Sequence, residues 1–270
     1  MLQRSTVEAW LREDVGHRDV TNDVPGETAG RLVAGEAGVA AGLEAAVAVF
    51  DYLGVDATAA VDDGDAVEAG DVVLRTEGPA RETLRGERVA VNVAGHASGV
   101  ATETRRAVAA AREGGDVRVA GTRKTTPGLR GVEKRAIAAG GGDTHRLDLS
   151  GMVMVKDNHV AEMGLEAAVE RFRERASFAT KIEVEIDAPA DAARAARTPA
   201  DVVLLDNMSP ADTADAVAAA READPGVLLE ASGGITVETV AEYAATGVDI
   251  VSMGSLTHSA PALDYSFRTG

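Results

Sequence analysis

The stretch IEVEIDAPADAARAARTPADVVLLDNMSPADTADAVAAAREADPGVLLEASGGITVETVAEYAATGVDIVSM, residues 182–253, decides the fold. It contains four short apolar runs: IEVEI (182–186), VVLL (202–205), VLLE (227–230) and VDIVSM (248–253). Between them stand polar or glycine-rich residues and then alanine-rich segments of helical period. The runs recur every 20 to 25 residues, the length of one strand–helix unit. Such alternation predicts an α/β architecture with a parallel sheet covered by helices. Two earlier runs, VRVA (117–120) and MVMV (152–155), extend the pattern to six strands.

In sheets of this kind ligands gather at the carboxyl ends of the strands. After VRVA stands GTRKTTPGLR, and after MVMV stands KDNH. Glu185 lies near the end of the third strand, DNM follows the fourth, ASGG the fifth and GSLTHS the sixth. One Ser-Gly-Gly is an ordinary turn, whereas six polar strand ends predict one shared pocket.

Charge sharpens the expectation. The 270 residues carry 27 basic and 44 acidic side chains, a formal net charge of −17. Only four of the basic residues are lysines (Lys124, Lys134, Lys156 and Lys181), and the rest are arginines. Between Gly121 and Val160, however, seven basic residues face four acidic ones. Some of these, such as Glu133 with Lys134, are expected to be surface ion pairs. Arg123, Lys124 and Lys156 fall at strand ends and Arg146 in a glycine-rich loop, where they can converge on an anion. Arginine forks match carboxylates, and lysine offers phosphate a point charge. Ser232, Gly233, Gly234, Gly254 and Ser255 can turn backbone N–H groups to a phosphate. Glu185 and Asp206 suit sugar hydroxyls or a hydrated Mg²⁺ ion.

Other classes are excluded on the same grounds. With no cysteine, disulfide-stapled and cysteine–zinc folds are ruled out. The acid excess opposes nucleic-acid binding over the general surface, and with the scarcity of lysine it suggests a surface suited to concentrated salt or a GC-rich codon bias. No secretory leader and no run of about 18 apolar residues is seen, which predicts a cytoplasmic protein with no membrane partner.

The first hundred residues read differently. An opening helix places Val7, Trp10 and Leu11 on one face, and short apolar runs separated by Gly and Asp follow. Val61–Gly78 resembles the hammerhead of lipoyl carriers, but no lysine precedes Lys124, so it is read as β scaffold. From Gly86 to Arg112, Val89, Val93, Ala97, Val100 and Ala101 give a buried helical face. His17, His96 and His159 lack ligand-like spacing and are read as structural.

The stretches EDVGHRDVT (13–21), GERVAVNVAGHASGVAT (86–102), GTRKTTPGLR (121–130), EKRAIAAGGGDTHRLDLSGMVMVKDNH (133–159), DNM (206–208), EASGGI (230–235) and VDIVSMGSLTHS (248–259) closely resemble the quinolinate phosphoribosyltransferases, nearly end to end and in the same order. The resemblance implies an N-terminal α/β sandwich (1–100, joined by the tail 260–270) and an incomplete α/β barrel (101–259). It implies phosphoribosyl transfer from 5-phosphoribosyl 1-pyrophosphate to quinolinate with loss of carbon dioxide, in the synthesis of pyridine nucleotides. Thr122, Arg123, His145, Arg146 and Lys156 would hold quinolinate, with Arg88 reaching it from the neighbouring subunit of a homodimer. Lys124, Glu185 and Asp206 would be catalytic and contact the phosphoribosyl pyrophosphate, Glu185 and Asp206 also serving Mg²⁺. Ser232, Gly233, Gly234, Met253, Gly254, Ser255 and His258 would complete the phosphoribosyl pyrophosphate site. This chain departs from the family pattern at Arg18, Arg135 and Thr144, the last beside the substrate residues. The residues alone leave open a transferase for a related base, or a phosphosugar-binding protein without activity. Four cations, Arg88, Arg123, Arg146 and Lys156, are excessive for a single carboxylate.

Overall fold

The computed structural model describes residues 2–270. The chain begins with α1 (Arg4–Val15), β1 (Glu27–Ala34), β2 (Gly38–Val39), α2 (Leu43–Tyr52), β3 (Asp56–Ala59), β4 (Ala66–Val67), β5 (Val72–Pro79) and the long α3 (Ala80–Gly114). There follow β6 (Arg118–Gly121), α4 (Arg130–Gly140), β7 (Val153–Val155), α5 (Asp157–Met163), α6 (Leu165–Arg175) and β8 (Ile182–Ile186). The remainder is α7 (Ala192–Ala196), β9 (Val202–Asp206), α8 (Pro210–Ala223), β10 (Leu228–Ser232), α9 (Val240–Ala244), β11 (Ile250–Met253), α10 (Ser255–His258) and β12 (Tyr265–Thr269). The six strands expected from 117 onwards are β6 to β11.

Two compact units result. One comprises residues up to Arg105, Thr126–Gly141 and Ser259–Gly270; the other comprises Arg106–Thr125 and Gly142–His258. Compared with a boundary at residue 100, the first unit continues along α3 to Arg105 and includes α4.

In the first unit an antiparallel sheet runs in the order β12-β1-β5-β3. The C-terminal ALDYSFRTG supplies β12, which pairs with β1 from Gly30↔Thr269 to Ala34↔Tyr265. One face of this sheet is apolar, and Leu32, Leu74, Leu43, Phe50 and Val73 bury fully in a shared core with Ala90 and Ala94 of α3. Each such Leu, Val or Phe contributes roughly 1.5–3 kcal/mol on burial. Glu133 and Lys134, read above as a surface pair, are instead 0 % and 3 % exposed. Glu133 takes the Thr126 N–H (3.1 Å to Oε2) and the His96 ring (2.8 Å to Oε1), bonds that offset its desolvation.

The second unit is built on a parallel sheet in the order β6-β11-β10-β9-β8-β7. Strand side chains alternate between faces. Val119, Val155, Ile182, Val184, Val203, Leu205, Leu229, Ala231, Val251 and Met253 share one apolar cluster with Ala168, Ala195, Ala216 and Ala220 of the helices. Alanine on the helices permits close packing against branched strand residues. The alternate positions form the inner face of an open α/β barrel, and there the sequence places Glu183, Glu185, Asp206, Glu230, Ser232 and Ser252. After α4 the chain returns beside β6 through a parallel bridge, Ala120↔Asp143, and this brings His145 and Arg146 to the same sheet.

Candidate active site

The expected strand-end residues of the second unit lie at the carboxyl ends of its strands. Thr122, Arg123 and Lys124 follow β6, and Lys156 follows β7. Glu185 is the fourth residue of β8, Asp206 ends β9, and Ser232 ends β10, in register with Asp206 and with Ser252 of β11. Gly254, Ser255 and His258 follow β11. Met253 differs: its side chain is 1 % exposed within the apolar cluster, so only its backbone remains for a ligand. Arg88 belongs to the first unit, where it stands exposed on α3.

Glycine shapes the loop that follows β10. Gly233 and Gly234 have φ of +101° and +64°. A Cβ on Gly233 would come within 2.3 Å of Asn207 Oδ1, so the Asn207 turn and the Ser-Gly-Gly turn interlock only without a side chain. Asn207 itself has φ +54°; its N–H donates to the Ser232 carbonyl at 2.9 Å, and its amide donates to Asp206 Oδ2 at 2.6 Å. Ser255 Oγ donates to the Ile235 carbonyl at 3.2 Å, which ties the start of α10 to the end of the same loop.

The electrostatics are those of a site built for anions. Arg123 Nε and Arg146 Nε are buried without a hydrogen-bond partner. Burial and then the proximity of Arg123, only partly balanced by neighbouring glutamates, hold the Arg146 guanidinium below its ordinary pKa. Two crowded guanidiniums with orphaned N–H groups are costly unless an anion completes them. Lys156 Nζ donates to Glu185 Oε2, and Asp206 is raised above the usual carboxylate range by burial and by Glu185. Glu185 and Asp206 thus form an acidic pair beside a basic cluster. Thr257 fixes the main chain of Lys124 by donating from Oγ1 to its carbonyl at 2.6 Å.

Three participants escaped the sequence reading: Glu183, Glu230 and Thr257. Glu183 and Glu230 lie in strand interiors, 0 % and 1 % exposed, and both approach His145 Nε2, at 3.8 Å and 3.0 Å. The available signal was a charge inside a strand expected to be buried, Glu183 being on the same face as Glu185. Among the described residues His145, Glu183 and Glu230 are also the one His/Asp/Glu group close enough to share a metal ion. Mg²⁺ prefers oxygen ligands and retains water, which fits the more open, mutually repelling Glu185 and Asp206 better than a buried site with an imidazole.

Comparison with known proteins identifies the family. Residues 19–98 match the quinolinate phosphoribosyl transferase N-terminal domain and residues 100–268 the C-terminal domain of the same family. A probable nicotinate-nucleotide pyrophosphorylase [carboxylating] of Methanothermobacter thermautotrophicus is 42 % identical, over 97 % of this chain and 97 % of its own. The human nicotinate-nucleotide pyrophosphorylase [carboxylating] is 42 % identical, over 97 % of this chain and 90 % of its own. The crystal structure of nicotinate-nucleotide pyrophosphorylase from Ehrlichia chaffeensis superposes with a TM-score of 0.92 at 30 % identity, covering 100 % of this chain and 99 % of that one.

Proposed function

The chain belongs to the quinolinate phosphoribosyl transferase family, and from that premise we propose how its residues divide the work of the reaction. The activity is phosphoribosyl transfer to quinolinate with decarboxylation. The donor is 5-phosphoribosyl 1-pyrophosphate, and the products are nicotinate mononucleotide, pyrophosphate and carbon dioxide. The observation that carries the assignment of roles is the pair of orphaned guanidinium N–H groups on Arg123 and Arg146.

Quinolinate brings two carboxylates, and Thr122, Arg123, His145, Arg146 and Lys156 receive them. Arg88 of a second copy, in a homodimer, adds a further cation. The 5-phosphate sits on the backbone of Ser232, Gly233, Gly234, Met253, Gly254 and Ser255, with His258 beside it. Lys124 neutralises the pyrophosphate as the bond from C1 of ribose to oxygen breaks, and Glu185 and Asp206 face the ribose hydroxyls and the developing positive charge. Glu185 and Asp206 would hold a Mg²⁺ ion, directly or through water, and the ion would add to the neutralisation of the pyrophosphate.

The pyridine nitrogen forms the new bond to C1 with its own lone pair, so no general base is required. The ring nitrogen is then positive, and it stabilises the electron pair left at C2 when the C2–carboxylate bond breaks and carbon dioxide departs. C2 takes a proton from water. The protein's part is positioning and charge, which accounts for a site of cations and glycines without a nucleophile.

The test is to incubate the protein with Mg²⁺, phosphoribosyl pyrophosphate and quinolinate labelled in the C2 carboxylate. Release of labelled carbon dioxide in step with nicotinate mononucleotide is expected. Acceptance of nicotinate with no release from quinolinate would overturn the reading.

A further inference from the structure

Two buried carboxylates have no task in the division of roles above. Glu183 and Glu230 project from β8 and β10, and three of their four oxygens, both of Glu183 and Oε1 of Glu230, have no hydrogen-bond partner. The fourth, Glu230 Oε2, lies 3.0 Å from His145 Nε2, and Glu183 Oε1 lies 3.8 Å from the same nitrogen. Burying two carboxyl groups around one ring costs more than a single hydrogen bond returns, so stability does not explain them.

The ring they face is itself held in an uncommon way. His145 has φ +50°, a left-handed conformation that non-glycine residues adopt mainly where the surroundings enforce it, often at functional sites. Its backbone N–H is pinned to Asp143 Oδ1 at 2.7 Å, and its ring is 12 % exposed. Both carboxylates lie on the Nε2 side of the ring, Glu230 within hydrogen-bond distance and Glu183 as a nearby charge, which leaves Nδ1 as the nitrogen for a ligand. A neutral imidazole carries one N–H, so with Nε2 donating to Glu230 its Nδ1 would offer a lone pair to an anionic substrate. Only a ring protonated at both nitrogens can donate to Glu230 and to a substrate carboxylate together.

We propose that Glu183 and Glu230 are positioning residues for the reaction, clamping His145 by Nε2 so that its Nδ1–H is presented to a carboxylate of quinolinate. This rests on the assignment of His145 to quinolinate. Electrostatics agree with the geometry: burial opposes a charge on His145, but the bonds and charges of Glu183 and Glu230 outweigh it and lift the ring to about 10. Arg146, next in the chain, adds a second cation, so the two glutamates also balance charge that quinolinate alone would otherwise have to neutralise. Partners one step behind a ligating histidine are known to tune it by orientation and basicity.

The test uses the full-length protein with Glu183→Gln and Glu230→Gln, alone and in a His145→Ala background. Each glutamine variant is expected to raise the KM for quinolinate about tenfold, with the KM for phosphoribosyl pyrophosphate within about twofold. In the His145→Ala background the same changes are expected to add nothing further. If the losses multiply instead, or fall equally on both substrates, the glutamates act through general structure and the proposal fails. The intact protein gives an independent measurement: ¹⁵N spectra at neutral pH should show His145 protonated at both ring nitrogens, and a neutral ring with a bare Nε2 overturns the proposal. If His145→Ala leaves the KM for quinolinate unchanged, the assignment of His145 has failed, and the proposal falls with it.

Discussion

Thr257 donates its hydroxyl to the main-chain carbonyl of Lys124 over 2.6 Å, across 133 positions of sequence. The same hydroxyl lies 3.1 Å from the Gly254 carbonyl, but it has one proton, and the shorter contact is to Lys124. Thr257 is 2 % exposed, so this carbonyl has its partner inside the protein. Thr257→Val preserves shape and removes the donor. The Lys124 carbonyl is only partly buried, so losing its donor costs toward the lower end of about 1–3 kcal/mol. We expect kcat to fall roughly tenfold through displacement of Lys124, by the equivalence of about 1.4 kcal/mol to a factor of ten. Steady-state kinetics beside thermal melting checks this, and an unchanged kcat in a folded variant contradicts it.

Gly254 gives a complementary handle on the same lysine. A Cβ there would meet Lys124 Cδ at 2.9 Å and His258 Nε2 at 3.2 Å, both the outer parts of side chains. Gly254 does not have a positive φ, so alanine is acceptable to the backbone. Gly254→Ala should therefore fold and melt close to the parent while moving the lysine stem. A misplacement on the order of 1 Å is worth about a hundredfold in rate. We expect kcat/KM for phosphoribosyl pyrophosphate to fall between tenfold and that limit.

Much of the second unit is legible in the sequence because each signal there is local. Runs such as IEVEI and VVLL have the length and branching of buried strands, and β8 and β9 begin at Ile182 and Val202 as those runs do. The polar residues after each run need only the parallel topology to come together. Glu133 is less legible, because a carboxylate on a helix beside Lys134 has the composition of an exposed pair. Its position four before Ile137 and seven before Gly140 puts it on the buried face, and only the distant His96 and the Thr126 N–H show how the charge is satisfied there. Glu230 is obscure for the same reason: its partner His145 is 85 residues away, beyond the reach of strand periodicity.

The His145 cluster also sets a pH dependence of stability. Burial works against the imidazolium, yet Glu183 and Glu230 raise it from 6.5 to about 10 in the folded protein. A group whose folded pKa is raised binds the proton more tightly when folded, so its stabilisation is complete below about 6.5 and is lost as pH rises toward 10. The melting temperature should therefore decline from pH 6.5 to 10, and more shallowly in His145→Gln than in the parent. Equal slopes for the two proteins would show that His145 is not the titrating group.

Asp19 governs the acid side of the first unit. It accepts the N–H groups of Thr21 and Asn22 at 2.9 Å and 3.0 Å and takes Arg85 Nε of α3 at 2.8 Å. Chiefly through Arg85, its carboxyl is held well below the usual range. A depressed carboxylate stabilises above its unfolded pKa, and that contribution disappears as pH falls through the folded value. Asp19→Ala should lower the melting temperature at neutral pH by a few degrees, with the difference from the parent narrowing in strong acid. Limited proteolysis should find new cuts between Gly16 and Gly26, the segment that this carboxylate ties to α3.

Whether Arg88 serves its own chain or a partner can be decided by mixing inactive chains. Arg88 is exposed on α3, while Lys156 follows β7 in the second unit. The Arg88→Ala and Lys156→Ala proteins should each lose most activity on their own. Suppose each site combines Lys156 of one chain with Arg88 of the other. A heterodimer then has one site with both residues intact and one with neither. Random exchange makes half of the dimers mixed, so recovery should approach about a quarter of parental activity per chain. If Arg88 acts within its own chain, every site in the mixture lacks one residue, and no ratio of chains restores turnover. Exchange must be demonstrated by differently tagged chains, because unmixed homodimers would also show no recovery.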